Sequence, residues 1–210
     1  FAGSAWSGGG VWKNPAVVEK LTRFVYEGGS FIGVNEPSAV DGYDSFFRMA
    51  PVLGVDEDTG ARICHGKWEF EVQTEEGLMP EGCFVKKTGN YRKGIPFLTD
   101  GKAKVLAKDG GVPTLTVNKF GSGMGIYMAS FEKTIENTRL LLNLILLAGG
   151  EDRNGLYLTD NCCTECAYYP GSGQLVVINN SDMPQTTTIQ TADGPVEAQL
   201  EPYATKMLRI

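Results

Sequence analysis

Histidine is almost missing from this sequence, which contains one, His65, among 210 residues. Long basic runs are missing as well, because the longest is Lys86-Lys87 and the net charge is −6. A nucleic acid or an anionic membrane requires a basic protein surface, so the composition argues against both as partners. The longest apolar stretch, from Leu140 to Ala148, is too short to cross a bilayer, and no signal peptide is recognisable.

An even, dispersed set of cysteines is also absent. Of the five cysteines, Cys162 and Cys163 are adjacent and Cys166 follows closely. Free thiols in a reducing compartment explain this pattern better than a disulfide framework, which predicts a cytoplasmic protein. Zinc bound by Cys162, Cys166, Cys64 and His65 is the alternative. It is disfavoured because Cys-x3-Cys is not the usual zinc spacing and the other two ligands lie in another predicted domain, so we predict no metal and no cofactor.

The first elements that the sequence predicts are a helix, a tight turn and a buried strand. Asn14-Pro15 begins the helix, since Asn caps free N–H groups and Pro fits the first helical position. The helix ends at Gly28-Gly29, and the apolar run Ser30–Val34 suits a strand buried on both faces. This unit predicts half of a doubly wound sheet. The expected fold is therefore α/β, a three-layer, flavodoxin- or Rossmann-like domain of the class I glutamine amidotransferase type.

Further elements follow from apolar runs and turn residues. Helices are predicted from Tyr43 to Met49 and, most clearly, from Glu132 to Leu147. Beyond Glu151, short alternating runs at about ten-residue spacing predict a small all-β sandwich or barrel. We expect an α/β domain over residues 1–150, truncated at its N-terminus because the chain opens abruptly on Phe1, and a C-terminal β domain over residues 151–210. The predicted strands are Trp68–Val72, Phe84–Lys86, Ile95–Leu98, Val105–Ala107, Pro113–Lys119 and Met124–Ala129, then Glu165–Tyr169, Leu175–Asn179, Thr186–Gln190, Val196–Leu200 and Lys206–Ile210.

The turn after the strand Ser30–Val34 carries the most informative polar residues, Asn35 and Glu36. Ligands of open α/β sheets bind at the carboxyl ends of the strands, and class I glutamine amidotransferases place a reactive cysteine at such a turn. Asn35 occupies that position here, and an amide cannot act as the nucleophile. Amidotransferase activity is therefore excluded, and no catalytic residue is predicted. Glu36 is expected either to bind a ligand or another domain, or to face water as an ordinary surface carboxylate.

Two glycine-rich segments are candidates for binding. The loop Ser7–Gly10 precedes the first helix, and its free N–H groups can hold an anion such as phosphate. A flexible connection is the alternative, since no Walker motif follows. Trp6 and Trp12 flank this loop and either stack on sugars or anchor it to the core. Gly121–Gly125 lies between two predicted strands, so we interpret it as a hairpin turn and not as a dinucleotide loop.

Several segments together resemble the lacto-N-biose phosphorylase family, which includes galactosyl-N-acetylhexosamine and galactosyl-rhamnose phosphorylases. The resemblance implies a catalytic TIM barrel, a central amidotransferase-like domain and a C-terminal β domain, of which this chain would be the last two. The segments that carry it are Gly3–Gly9, Phe31–Ser38, Ala50–Asp56, Val176–Ser181 and Leu200–Tyr203.

The resemblance implies reversible phosphorolysis of β-galactosyl-(1,3)-N-acetylhexosamine or β-galactosyl-(1,4)-L-rhamnose to α-galactose 1-phosphate, an inverting glycosyl transfer. The catalytic acid would lie in the barrel, and this chain would serve as scaffold, homodimer contact and one wall of the active site. Phosphate and the galactosyl disaccharide would be bound through the barrel. Within this chain, the residues expected to contact phosphate or sugar are Ser7, Gly8, Gly9, Gly10, Asn35 and Glu36.

Two other functions remain open from the sequence. A carbohydrate-binding domain would use Trp6, Trp12 and Trp68 as stacking platforms. A trimerisation-like domain of a β-galactosidase-type enzyme would have the same fold but a different parent enzyme.

Overall fold

The structure is a computed structural model that describes residues 10–40, 42–60, 68–87, 94–152 and 155–210. The chain divides into two compact units. The first comprises Phe1–Glu76 and Phe84–Lys133, and the second comprises Gly77–Cys83 and Thr134–Ile210. Within the described ranges, no helix is both long and apolar enough to cross a membrane.

The described residues form three helices of four or more residues and eleven strands, numbered here in chain order. The helices are α1 (Pro15–Tyr26), α2 (Ala50–Leu53) and α3 (Ile135–Gly149). The strands are β1 (Ser30–Val34), β2 (Val55–Asp58), β3 (Ile95–Leu98), β4 (Lys104–Asp109), β5 (Val112–Phe120), β6 (Gly123–Met128), β7 (Thr164–Tyr169), β8 (Gln174–Asn179), β9 (Gln185–Thr191), β10 (Gly194–Leu200) and β11 (Thr205–Arg209).

Helix α1 begins and ends as the sequence predicts. The Asn14 side chain accepts a hydrogen bond from the Ala16 N–H at 3.0 Å, and Pro15 occupies the first turn. At the other end the Glu27 N–H donates to the Arg23 carbonyl, and Gly28 has a φ of 119°, which favours glycine. Strand β1 follows directly, so the predicted helix, turn and strand are confirmed.

The expected three-layer α/β fold is wrong. The first unit contains a four-stranded sheet of order β1-β6-β5-β4, in which only β1 and β6 pair in parallel. The pairs β5–β6 and β4–β5 are antiparallel, and a separate two-stranded sheet joins β2 and β3. A doubly wound fold needs parallel strands connected through helices. Here hairpins, and not helices, connect β4 to β5 and β5 to β6. Of the described residues, 37% are in strands or bridges and 18% are in helices, so the structure is mostly β.

Three predicted elements of the first unit also differ. Residues 43–49 form turns and bends instead of a helix, because the Asp56 carboxylate accepts hydrogen bonds from the Phe46 and Phe47 N–H groups and holds them in a loop. The segments 68–72 and 84–86 are not strands, apart from one bridge between Val72 and Val105. Strand β2 (Val55–Asp58) was not predicted from the sequence.

Glycines in β6 allow other backbone segments to approach the sheet closely. A Cβ on Gly125 would lie 2.0 Å from the Val52 carbonyl oxygen of α2, and one on Gly123 would lie 2.1 Å from the Val25 carbonyl oxygen of α1. Only glycine leaves room for these contacts. The segment Gly121–Gly125 thus combines a hairpin turn with a packing surface, which confirms the predicted turn.

The second unit contains the predicted C-terminal strands. Strands β11-β8-β7 form one antiparallel sheet, and β10-β9 form another. A small apolar core lies among them, and Tyr157 stacks on Tyr168 with 4.1 Å between ring centroids. The buried residues of this core are Leu175, Val177, Ile189, Ala198 and Leu200.

Helix α3 belongs to this second unit. Its residue Arg139 donates to the carbonyl oxygens of Thr159, Asn161 and Thr164 at 2.8–3.3 Å and to the Thr159 hydroxyl at 2.8 Å. The Asn143 side chain donates to the Leu78 carbonyl at 2.9 Å. The helix therefore secures the chain before β7 through a planar guanidinium group that a lysine could not replace.

Candidate functional site

The candidate site forms where the parallel strands β1 and β6 end. Asn35 follows β1, and its N–H donates to the Met128 carbonyl of β6 at 2.9 Å. The Asn35 φ is 65°, a left-handed conformation that asparagine tolerates better than most residues. The chain thus turns sharply at this residue and leaves Asn35 and Glu36 half-buried at the edge of the sheet.

The turn after Glu36 is held firmly. Ser38 also has a left-handed φ, 60°, and is fully buried. Its hydroxyl accepts a hydrogen bond from the Met49 N–H at 2.9 Å, and its carbonyl accepts one from the Arg48 N–H at 3.0 Å. Pro37 packs against Gly33, where a Cβ would come within 2.5 Å of the proline ring. Asn35 and Glu36 therefore stand on a rigid support.

Two buried acids from β2 complete the site. The Asp56 carboxylate is 5% exposed and accepts hydrogen bonds from the N–H groups of Phe46, Phe47 and Glu57 at 2.7–3.1 Å. These three donors compensate the burial of its charge. Glu57 is 6% exposed, and Gly94 lies against its carboxyl group, where a Cβ would overlap it.

Burial and charge together shift the titration of this cluster. Desolvation, with smaller contributions from Glu36 and Asp56, raises the pKa of Glu57 from 4.5 to about 7, although Lys87 acts in the opposite direction. Burial, followed by the charges of Glu57 and Glu36, raises the pKa of Tyr127 well above 10. The site therefore offers a carboxyl group that exchanges its proton near neutral pH and a phenol that remains protonated.

The charge of this cluster limits what it can bind. Glu36, Asp56 and Glu57 together create a negative potential, so an anion such as phosphate is repelled there. Neutral hydroxyl groups suit this edge better, because a carboxylate such as that of Glu36 accepts hydrogen bonds from them. Asp56, Glu57 and Tyr127 are at most 6% exposed, so they set the electrostatic potential at this edge, and the half-buried Asn35 and Glu36 are the groups that can reach a ligand.

The other residues predicted for the site are only partly described. Ser7, Gly8 and Gly9 lie outside the described residues, as does Trp6, while Gly10 is exposed in a short helical turn over residues 10–12. Trp12 is 1% exposed and packs edge-on against Phe31 at 6.1 Å, which supports the anchoring interpretation and not sugar stacking. The binding roles of Ser7–Gly10, Asn35 and Glu36 stay predictions.

Sequence reasoning missed Asp56, Glu57 and Tyr127. The signal was Asp56-Glu57-Asp58 directly after the apolar segment 50–55, but consecutive acids usually mark a solvated loop. Only the pairing of Val55–Asp58 with Ile95–Leu98 places the acids Asp56 and Glu57 in a sheet.

The metal site offered as an alternative by the sequence is a zinc site formed by cysteines and the histidine. Cys64 and His65 lie outside the described residues, and Cys162, Cys163 and Cys166 are free thiols. The Cys166 thiol contacts the Tyr157 carbonyl at 3.0 Å, and burial raises its pKa. Among residues that the structure describes, no three His, Cys, Asp or Glu side chains are grouped to hold a metal ion.

Comparison with known proteins gives matches along nearly the whole chain. The sequence model of the lacto-N-biose phosphorylase central domain matches residues 1–153, and that of the C-terminal domain of the same family matches residues 157–208. A D-galactosyl-β-1→4-L-rhamnose phosphorylase from Lachnoclostridium phytofermentans is 50% identical over 187 residues, which cover 89% of this chain. A 1,3-β-galactosyl-N-acetylhexosamine phosphorylase from Bifidobacterium longum subsp. longum is 31% identical over 226 residues, which cover 92% of this chain.

The chain spans only 25% and 30% of the lengths of these two relatives. Among solved structures, a β-galactosidase from Rahnella sp. R3 superposes with a TM-score of 0.52 at 18% identity, over 91% of this chain and 30% of that enzyme. At this identity the likeness concerns the fold alone.

Proposed function

Since the chain belongs to the lacto-N-biose phosphorylase family, we propose that it is the non-catalytic central and C-terminal part of a galactoside phosphorylase. The observation that carries the proposal is the match of both family domains in consecutive order along the chain. The 50% identity to a galactosyl-rhamnose phosphorylase supports a galactoside as substrate. The parent enzyme would act on β-galactosyl-(1,4)-L-rhamnose or β-galactosyl-(1,3)-N-acetylhexosamine.

The proposed reaction is an inverting transfer of galactose to phosphate. A phosphate oxygen attacks the anomeric carbon and forms a new C–O bond, while the glycosidic C–O bond breaks on the opposite face. A carboxylic acid outside this chain gives its proton to the leaving oxygen, and α-galactose 1-phosphate results. An inverting hydrolase needs a second carboxylate to activate water, but phosphate is already an anionic nucleophile.

In this proposal the chain supplies a scaffold, a homodimer contact and one wall of the active site. Glu36, on its rigid turn beside Glu57, would accept hydrogen bonds from hydroxyl groups of the sugar. The negative potential of Glu36, Asp56 and Glu57 favours the sugar over phosphate at this edge. In this proposal the Ser7–Gly10 loop contacts phosphate through its backbone N–H groups.

A chimera tests both parts of the proposal. The chain would replace the matching segment of the Lachnoclostridium phytofermentans relative, and galactose 1-phosphate formation from galactosyl-rhamnose and phosphate would be measured. We expect activity from the chimera and none from the 210-residue chain alone. Turnover by the isolated chain would overturn the division of labour between the domains.

Glu36→Gln in the chimera tests the sugar contact. Loss of one hydrogen bond to a charged acceptor should raise the KM for the disaccharide about tenfold and leave the KM for phosphate unchanged. Glu165→Gln, at an exposed acid of β7, is the matched control. Equal kinetic constants for the two variants would show that Glu36 does not contact the substrate. A raised KM for phosphate alone would show that Glu36 acts on phosphate binding and not on the sugar.

A further inference from the structure

We propose that the groove around Trp68 binds a neutral saccharide. This groove, called the Trp68 groove below, has a volume of about 800 Å³. The proposal concerns binding by this chain itself, so the experiment that tests it does not depend on the proposed phosphorolysis. The groove is lined by Trp68, Glu69, Phe70, Glu71, Lys108 and Gly111.

The indole of Trp68 is exposed but fixed in orientation. It is 54% exposed, which is unusual for so large an apolar side chain. Its Nε1–H donates to the Thr99 carbonyl at 3.2 Å. A Cβ on Gly101 would lie 3.0–3.5 Å from three atoms of the ring, so the indole lies against a turn that has no side chain at this position. One side of the ring is therefore supported, and the remainder faces the groove.

The backbone that carries Trp68 is anchored to strand β4. The Gln73 N–H donates to the Val105 carbonyl at 2.8 Å, and Val72 forms a parallel bridge with Val105. Lys104 of β4 and Glu75 form a half-buried ion pair at 3.1 Å, which ties the same segment to β4 a second time. These contacts hold the groove in place before any ligand binds, which lowers the entropic cost of binding.

The polar groups of the groove suit hydroxyl groups. Glu69 and Glu71 supply acceptors, and Lys108 supplies donors. A sugar hydroxyl both donates and accepts hydrogen bonds, while the apolar C–H face of a pyranose ring can pack on the indole. Nucleic acid would meet the two carboxylates and a net charge of −6, which argue against it as the ligand. A neutral saccharide is the ligand class that satisfies all these groups together.

Titration of the 210-residue chain with saccharides tests the proposal. The probes would be lactose, β-galactosyl-(1,3)-N-acetylglucosamine and cellobiose. Their binding would be measured by calorimetry and by ligand-observed NMR, because neither signal depends on Trp68, which is changed in the variant. We expect saturable binding of at least one probe and a loss of affinity of tenfold or more in Trp68→Ala. Tyr203→Ala, which removes an aromatic ring that is 70% exposed in the second unit, should leave the affinity unchanged.

Circular dichroism and thermal melting would establish that Trp68→Ala folds. If it does not, Lys108→Ala and Glu71→Gln, both at exposed positions, should each weaken binding about threefold or more in a folded chain. Absence of saturable binding of all three probes at 10 mM, on the order of the weakest millimolar affinities, would overturn the proposal. Equal binding by the wild type and by all groove variants would do the same.

Discussion

The carboxyl group of Glu57 is 6% exposed and shares its surroundings with Glu36 and Asp56. The Asp56 carboxylate accepts hydrogen bonds from three backbone N–H groups, whereas desolvation acts on Glu57 without such compensation in the described contacts. Two neighbouring acids of β2 therefore differ in chemistry because their hydrogen-bond partners differ. The Glu57 proton is the one that can be exchanged near pH 7.

Glu57→Gln should change the pH dependence of stability. The folded-state pKa of about 7 lies above the unfolded value of 4.5, so the folded chain binds more protons between these values. The contribution of Glu57 to stability is thus fully present below pH 4.5 and is lost as the pH rises through 7. The amide removes this loss, and the variant should gain up to about 3 kcal/mol over the wild type at pH 8 and little at pH 4.5.

Urea unfolding at pH 4.5, 6 and 8 would measure this difference. Glu69→Gln, at an exposed carboxyl group of the same unit, is the control and should track the wild type at every pH. Parallel pH profiles for the wild type and Glu57→Gln would show that Glu57 ionises normally in the folded chain.

At the scale of secondary structure, strand β6 joins the sheet to both neighbouring helices of the first unit. Its residues Gly123 and Gly125 face the carbonyl oxygens of Val25 and Val52 at distances that no Cβ can occupy. The alternation of glycine in Gly121–Gly125 is thus a packing requirement. A glycine pattern that resembles a nucleotide loop in the sequence serves a different purpose here, because two strands flank it.

Gly125→Ala should destabilise the chain through this contact. The added Cβ would lie 2.0 Å from the Val52 carbonyl oxygen, and backbone atoms cannot move aside as a flexible side chain can. We expect a loss of about 1–3 kcal/mol in the free energy of unfolding. Gly171→Ala is the control, since a Cβ there meets no atom within 4 Å. If both alanine variants unfold at the same urea concentration, α2 does not pack on β6 this closely.

At the scale of the whole chain, each of the two compact units is formed by two separate segments of the sequence. The second unit includes helix α3 and the short segment Gly77–Cys83 in addition to the C-terminal strands. The boundary predicted after residue 150 separates α3 from these strands. This boundary stays a prediction, and fragments provide its test.

Fragments 134–210 and 151–210 should differ in folding. The longer one keeps Arg139, whose guanidinium group binds the carbonyl oxygens of Thr159, Asn161 and Thr164. We expect dispersed amide signals in its NMR spectrum and a poorly dispersed spectrum for the shorter fragment, in which those carbonyls lose their donor. Arg139→Ala in the longer fragment should reduce its stability. Equally well-folded fragments would favour the boundary after residue 150.

Much of the local structure could be predicted from the sequence. Asn14-Pro15 and Gly28-Gly29 delimit α1 through their own backbone preferences, and the alternation in the C-terminal region predicts β7 to β11 within one or two residues. The membership of the family was also predicted correctly from short segments such as Phe31–Ser38. These features depend on neighbours in the chain, so the sequence carries them directly.

Tertiary structure decided the remainder. The pairing of β6 with β1 in parallel and with β5 in an antiparallel hairpin determined the type of sheet, and no periodicity in either strand specifies its partner. The loop at residues 43–49 exists because Asp56, ten residues further along, supplies its hydrogen-bond acceptors. Likewise, Glu57 acquires its raised pKa only when β2 pairs with β3 and removes it from water. Local preferences were readable from the sequence, whereas contacts between distant residues and the burial they cause required the folded chain.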